Sequence, residues 1–178
     1  MPISTQLSAA LGIRHPILLA AMTAFALLTP QESKDFGKRP DWSITLKDGK
    51  KVSAADYDKK VVIVDFWATW CPPCRKEIPG FIKLQKEYGE KGLAIVGFSF
   101  DRDEAAHDKY VKEQGMNYQS IFAMNEAGQA VVDQFQKLIG EIKGIPTTLV
   151  IDRKGQIVYK HVGYASPEDF EKIIKPLL

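Results

Sequence analysis

Residues Val61-Val62-Ile63-Val64-Asp65-Phe66-Trp67 form a run of β-branched and aromatic side chains interrupted by a single carboxylate, and Cys71-Pro72-Pro73-Cys74 follows directly after the short link Ala68-Thr69-Trp70. Such a run is what a strand buried on both faces requires. From Pro72 to about Tyr88 the pattern changes: Ile78, Phe81, Ile82 and Tyr88 fall near one helical stripe, and Gly89 and Gly92 end it. A buried strand feeding straight into a helix needs a sheet covered by helices on both faces. The two cysteines are the only ones in the chain. A disulfide stabilises a chain in proportion to the loop it closes, and this pair closes almost none. Reactivity is the better reason for its presence.

The remaining elements follow from local signals. Trp42 to Leu46, the Asp48-Gly49 turn and Lys51-Val52 predict a hairpin. Leu93 to Phe98 predicts a second buried strand, after which Asp101 or Asp103 can cap a helix running to about Gln114 and closed by Gly115. Tyr118 to Phe122 predicts a short strand, and Asn125 opens a helix through Leu138 with Val131, Val132, Phe135 and Leu138 at apolar spacing. Thr147 to Ile151 and Gln156 to Val162 predict an antiparallel pair joined by a turn at Asp152-Arg153-Lys154-Gly155. Ser166, Pro167 and Asp169 begin a last helix as cap, first and third helical residues. The fold class is therefore α/β, with a mixed central sheet, helices on both faces and a helix–strand–helix segment over residues 101–138. A hydrophobic fraction of 45% supports a proper core. A net charge of +2 is too small to argue for nucleic acid or a polybasic membrane surface, and the pairs Lys50-Lys51 and Lys59-Lys60 read as solvated surface.

Residues 1–31 read differently from 32–178. No acidic residue precedes Glu32, and Arg14 and His15 stand before an apolar run of about twelve residues, Ile17 to Leu28. That is short of the ~20 residues that span a bilayer and suits the apolar region of a secretory signal, with Ala24-Phe25-Ala26 as a small-residue cleavage signal. The alternative is a disordered extension. Leu11 to Ile17 also resembles the start of nitronate monooxygenase-type flavoenzymes, a match that nothing downstream supports. Export places the domain in the periplasm or cell envelope, with transient membrane association through this segment; without it the domain is cytoplasmic.

Cys71 falls where the strand ends and the helix begins. The first amides of a helix lack intrahelical partners and the dipole there favours negative charge, so a thiol at this position ionises readily and can attack a disulfide. Cys74, one turn on, can resolve the mixed disulfide. Asp65, in an otherwise apolar strand, is expected to be buried with its pKa raised, which suits a proton acceptor for Cys74; the alternative is a hydrogen-bonded core group. Glu77 is one turn beyond Cys74 and either tunes the thiols or is an exposed helix carboxylate. Trp70 beside the nucleophile suits partner contact, whereas Trp67 suits the core. His107 and His161 are expected to be ordinary surface or strand residues. Two other readings of the dithiol stay open: a thiol-dependent peroxide reductase, and a zinc- or copper-binding module, for which the scattered His15, His107 and His161 offer few ligands. No metal and no dissociable cofactor is expected, since a Cys71–Cys74 disulfide carries the two electrons.

The segment Val64-Asp65-Phe66-Trp67-Ala68-Thr69-Trp70-Cys71-Pro72-Pro73-Cys74 resembles the active-site segment of thioredoxins. Pro79 matches the proline of their active-site helix, Gly144-Ile145-Pro146-Thr147 their cis-proline loop, and Val162-Gly163 their glycine after the last strand. The resemblance covers about residues 40–178. With its insert and its Cys-x-x-Cys-x-x-Glu pattern the chain is similar to the exported TlpA-like and cytochrome c maturation thioredoxins, usually reducing proteins of the bacterial envelope. The resemblance implies a cis Pro146, a substrate surface built from Trp70, Pro72, Pro73, Ile145, Pro146 and Thr147, disulfide-containing protein substrates and an upstream thiol electron donor. Two departures stand out: Gly140-Glu141 replaces a tyrosine–glycine pair, and Thr147 replaces the glutamate of the dedicated cytochrome c maturation branch.

Overall fold

In the computed structural model, which describes residues 36–178, a hairpin of β1 (Ser43–Thr45) and β2 (Lys51–Ser53) precedes β3 (Val61–Trp67), α1 (Pro72–Tyr88), β4 (Leu93–Ser99), α2 (Glu104–Glu113), β5 (Gln119–Phe122), α3 (Glu126–Ile139), β6 (Thr147–Ile151), β7 (Ile157–Val162) and α4 (Pro167–Ile174). The leader read in residues 1–31, including Ala24-Phe25-Ala26, lies outside the described residues. Among those described, no helix is long and apolar enough to cross a membrane.

The central sheet is ordered β5-β4-β3-β6-β7. β3 pairs in parallel with β4 and antiparallel with β6, which makes the sheet mixed. Every residue of β3 and β4 is buried, as strands covered on both faces require. The crossovers from β3 to β4 and from β4 to β5 advance in one direction. A right-handed crossover rule then puts α1 and α2 on the same face. The contacts agree: Phe81 and Leu84 of α1 pack with Ile63 and Ile95, Phe170 and Ile174 of α4 join them, and Tyr110 and Val111 of α2 pack against Trp67. α3 and the β1–β2 hairpin cover the opposite face through Val131, Val132, Phe135, Trp42, Ile44 and Val52. The hairpin forms its own two-stranded sheet, and the segment expected as an insert supplies the edge strand β5.

Two local expectations are corrected and one alternative is decided. The buried end of α3 is Ile139, not Leu138, which is 37% exposed; one residue is a 100° rotation about a helix, so a stripe read from spacing can miss its last member. Ile82 likewise lies on the flank of α1, whose buried stripe continues through Leu84. Asp103 caps α2, accepting from the Ala105 amide at 2.9 Å, while Asp101 is buried and does other work. Three of the glycines required by close approach are Gly128, where a Cβ would stand 2.5 Å from the Ala123 backbone, Gly80, where it would overlap the Pro167 ring as α1 meets α4, and Gly97, where it would stand 2.8 Å from Nε1 of Trp67.

Candidate active site

The loop between β3 and α1 is held from below. Asp101 accepts from the Thr69 amide at 3.1 Å, from the Thr69 hydroxyl at 2.6 Å and from the Ser99 hydroxyl at 2.6 Å. This ties the end of β3 to the end of β4 and fixes the residues that lead into Cys71. Cys71 is the N-cap of α1 and Pro72 opens the helix, where a missing amide hydrogen costs nothing. Cys71 and Cys74 form a disulfide, with Cα atoms 5.3 Å apart. Sγ of Cys71 accepts from the Cys74 amide at 3.3 Å, the geometry that stabilises a thiolate once the disulfide is opened. The same sulfur lies 3.6 Å from the Ile145 carbonyl oxygen, to which a Cys71 thiol could donate in the reduced state. Cys71 is 3% exposed and Cys74 fully buried.

The Ile145–Pro146 peptide is cis, as the resemblance implied. Ile145 is half-buried and Pro146 buried. Thr147 is buried too; its hydroxyl donates to the Gly144 carbonyl at 2.7 Å and so holds the loop closed on itself. Pro72 and Pro73 are exposed, and Trp70 is 62% exposed. Trp67 is fully buried and packs with both cysteines and Ile78.

Asp65 is buried, and the Thr148 hydroxyl donates to its Oδ1 at 3.3 Å. Burial first, and then the charge of Glu77, push its pKa well above the usual carboxylate range; the Thr148 bond only partly opposes this. Glu77 is not the exposed helix carboxylate that the sequence left open. It is 2% exposed, because its side of α1 faces the sheet beside the start of α4. Its Oε1 accepts from the Ala165 amide at 2.7 Å and its Oε2 is buried without a partner among the described residues. Burial raises its pKa to about 7, against the lowering effect of the Ala165 bond. The hydroxyl of Tyr118 is buried near the same pair: desolvation first, then the charge of Asp65, push its pKa well up. The face that carries the dithiol thus also holds two buried carboxyls whose pKa values are raised, that of Glu77 to about 7.

His107 is not a surface or strand residue. It lies on α2, 3% exposed, with Nε2 2.8 Å from the Ser120 hydroxyl and its ring 5.9 Å from that of Trp67. Sequence reasoning also missed Asp101, Thr148 and Tyr118. For Thr148 a signal existed, since a hydroxyl beside a strand carboxylate is a usual way to satisfy it. For the other two none did. No cluster of three or more His, Cys, Asp or Glu able to hold a metal occurs among the described residues. A cleft of about 350 Å³ between Lys38, Arg39, Tyr57, Asp58 and Arg153 includes none of these side chains.

Known proteins resemble this one across nearly the whole described chain. The family model described as Redoxin matches residues 34–175. The thiol-disulfide oxidoreductase ResA of Bacillus thuringiensis strain Al Hakam is 29% identical over 168 residues, covering 90% of this chain and 91% of that protein. The thioredoxin-like protein YneN of Bacillus subtilis strain 168 is 33% identical over 161 residues, covering 88% and 91%. Among solved structures, a thiol:disulfide interchange protein of the thioredoxin family from Chlorobium tepidum TLS superposes with a TM-score of 0.73 at 35% identity, covering 82% of this chain and 98% of that one.

Proposed function

Because this chain belongs to the Redoxin family and is a TlpA/ResA-like thiol–disulfide oxidoreductase of thioredoxin fold, we propose that it reduces disulfides in protein substrates in the bacterial cell envelope, with Cys71 as nucleophile and Cys74 as resolving thiol. The observation that carries the assignment of roles is the asymmetry of the two sulfurs. Cys71 is the helix cap, its sulfur accepts an amide hydrogen bond and the residue is 3% exposed; the Cys74 sulfur accepts no such bond among the described residues and Cys74 is fully buried.

The chemistry follows from that geometry. The Cys71 thiolate attacks one sulfur of a substrate disulfide, forming a mixed disulfide and releasing the other sulfur as a thiolate. Cys74 then loses its proton, bonds to the Cys71 sulfur and expels the second substrate sulfur. Two electrons pass to the substrate, and Cys71–Cys74 is left oxidised for an upstream dithiol donor to reduce. Asp65 and Glu77 receive the Cys74 proton when one of the two is ionised: both are buried on the α1 face of the sheet, and burial raises the proton affinity of each. The exposed ring of Trp70 and the Ile145–Pro146 turn form the surface on which an extended substrate segment lies. No dissociable cofactor takes part in this scheme. The envelope location is supported by the signal-like leader of residues 1–31.

The test is a trapping experiment. Cys74→Ser should accumulate a mixed disulfide through Cys71 with a disulfide-bearing protein such as insulin, while Cys71→Ser traps nothing. Equilibration of the wild type with glutathione fixes the direction: a potential well below that of the glutathione couple supports a reductant, and one well above it assigns an oxidant. Peroxide consumption that needs Cys71 but not Cys74 would replace this reading with a peroxide reductase.

A further inference from the structure

Asp65 is one member of a row. It lies opposite Thr148 of β6, and Thr148 lies opposite His161 of β7. Residues directly opposite on antiparallel strands point to the same face. The three side chains therefore run side by side from the sheet centre to its edge strand, on the face covered by α1 and α4. A second connection reaches the same histidine. Nε2 of His161 lies 3.3 Å from the Tyr164 carbonyl oxygen, and the amide of that same peptide group, the Ala165 N–H, donates to Oε1 of Glu77 at 2.7 Å. A carbonyl only accepts, so Nε2 carries the hydrogen and Nδ1 of the neutral ring is an acceptor. One peptide unit thus joins His161 to Glu77.

Two buried polar atoms on this network lack partners among the described residues: Oε2 of Glu77 and Nδ1 of His161. Buried polar atoms are ordinarily satisfied; these two are not within hydrogen-bond reach of each other either, so a proton moving between the carboxyl oxygen and the imidazole acceptor would cross through a bridging water. Asp65 and Glu77 are 1% and 2% exposed. His161 is only half-buried and sits on the edge strand, nearer to solvent than either carboxyl. Around it stand the Tyr159 ring, stacked at 6.3 Å and 2°, and Tyr164, whose ring carries the Lys76 ammonium of α1 at 4.2 Å; Asp169 of α4 acts on Tyr159.

We propose that His161 carries protons between the buried Asp65–Glu77 pair and solvent. It touches neither sulfur nor substrate and acts through the carboxyls, so the proposal rests on the dithiol reading above. In the resolving step the Cys74 S–H gives its proton to the pair, the Cys71–Cys74 bond forms and the bond from Cys71 to the substrate sulfur breaks. The substrate thiolate takes its own proton from solvent. The pair now holds one proton more than before. It passes this proton to Nδ1 of His161, and the imidazolium releases the one on Nε2 to water. When a donor dithiol reduces the disulfide, Cys74 needs a proton back: Nε2 takes a proton from water while Nδ1 returns its own inward, which restores the neutral ring with its hydrogen toward the Tyr164 carbonyl.

The test separates sulfur chemistry from proton release. Reduced full-length protein is mixed with 5,5′-dithiobis(2-nitrobenzoate) in weak buffer containing a pH-indicator dye. One turnover releases two thionitrobenzoate anions and up to two protons, the one that accompanies the second anion coming from Cys74. In the wild type, dye response should keep pace with the second thionitrobenzoate. In His161→Gln the thionitrobenzoate steps should persist while the second proton lags about tenfold, less than the ~100-fold that direct general acid–base groups contribute, and added imidazole should restore it. His161→Asn serves if the glutamine variant folds poorly. A dye response that keeps pace in these variants, or a lag that imidazole does not repair, overturns the proposal. Absence of the second thionitrobenzoate from the wild type itself removes the dithiol reading, and this proposal with it.

Discussion

The two faces of the central sheet are built to different rules. On the α3 face the strands bury a cluster of rings: Phe66 stacks on Phe98 at 5.7 Å, and Phe135 meets both at 5.7 and 5.9 Å, with Trp42 beside them. The α1 face carries the dithiol at one end and, within the same layer, Asp65, Glu77, Thr148 and the Tyr118 hydroxyl. A buried carboxyl costs free energy unless neutralised or fully bonded, and Glu77 and Tyr118 keep polar atoms unpartnered among the described residues. One face supplies cohesion; the other gives up some of it to hold protons near two sulfurs. Locally unfavourable features of this kind collect where chemistry is done.

That division can be tested from the sulfur outward. Cys71→Ser should lower disulfide exchange to the background rate while its thermal unfolding stays close to that of the reduced wild type, because neither carries the cross-link and the substitution changes one sulfur for an oxygen; a thiol-exchange assay beside a melting curve checks both. Phe135→Ala strikes the opposite face. Its ring is fully buried, so the loss should be about 3–5 kcal/mol in urea unfolding, with exchange per folded molecule unchanged. A variant at Phe135 that folds normally yet exchanges slowly would erase the distinction between the faces.

Much of this was readable in advance because it is local. β3, the boundaries of α1, the caps at Asn125 and Ser166 and the cis bond before Pro146 rest on short patterns or on the thioredoxin-like motif. What escaped depends on segments far apart in the chain. Glu77 is buried because Ala165, 88 residues later, brings an amide to it. Asp101 is buried because Thr69, 32 residues earlier, donates to it from the active-site loop. His107 is buried because Ser120 and Trp67 surround its ring. Helical spacing shows that a polar residue lies near a boundary of the apolar stripe; it does not show what the neighbouring element brings to that boundary.

The polar face makes a signed prediction about pH. The folded-state pKa of Glu77, about 7, stands above its reference of 4.5, and that of Asp65 is raised as well. The native state therefore binds more protons than the unfolded chain, and stability must fall as pH rises from about 4.5 through 7. Glu77→Gln removes this contribution. The variant should match the wild type below pH ~4.5 and exceed it by roughly 1–3 kcal/mol at pH ~8, because a tenfold difference in proton affinity between the folded and unfolded chain is worth ~1.4 kcal/mol. It should also lower the pKa of Asp65, whose second cause of elevation is the Glu77 charge. Urea midpoints across that range decide it. A gain that appears only below pH ~4.5 would give the effect the opposite sign.

The smallest stability effect belongs to Trp70, and it separates the surface of the active face from its interior. The ring is 62% exposed although its loop is pinned through Thr69 to Asp101, so the side chain contributes little to the fold. Trp70→Ala should change stability by no more than about 0.5 kcal/mol. An exposed tryptophan beside a nucleophile, on a loop whose backbone is already fixed, offers a partner a large apolar surface, and such residues carry interface energy out of proportion to their number. For a protein disulfide, kcat/KM should therefore fall by about five- to tenfold, the equivalent of a hot-spot loss of ~1 kcal/mol or slightly more. For a small disulfide that cannot reach the ring, the rate should hold. Equal losses on both substrates would mean that Trp70 acts on the Cys71 sulfur itself.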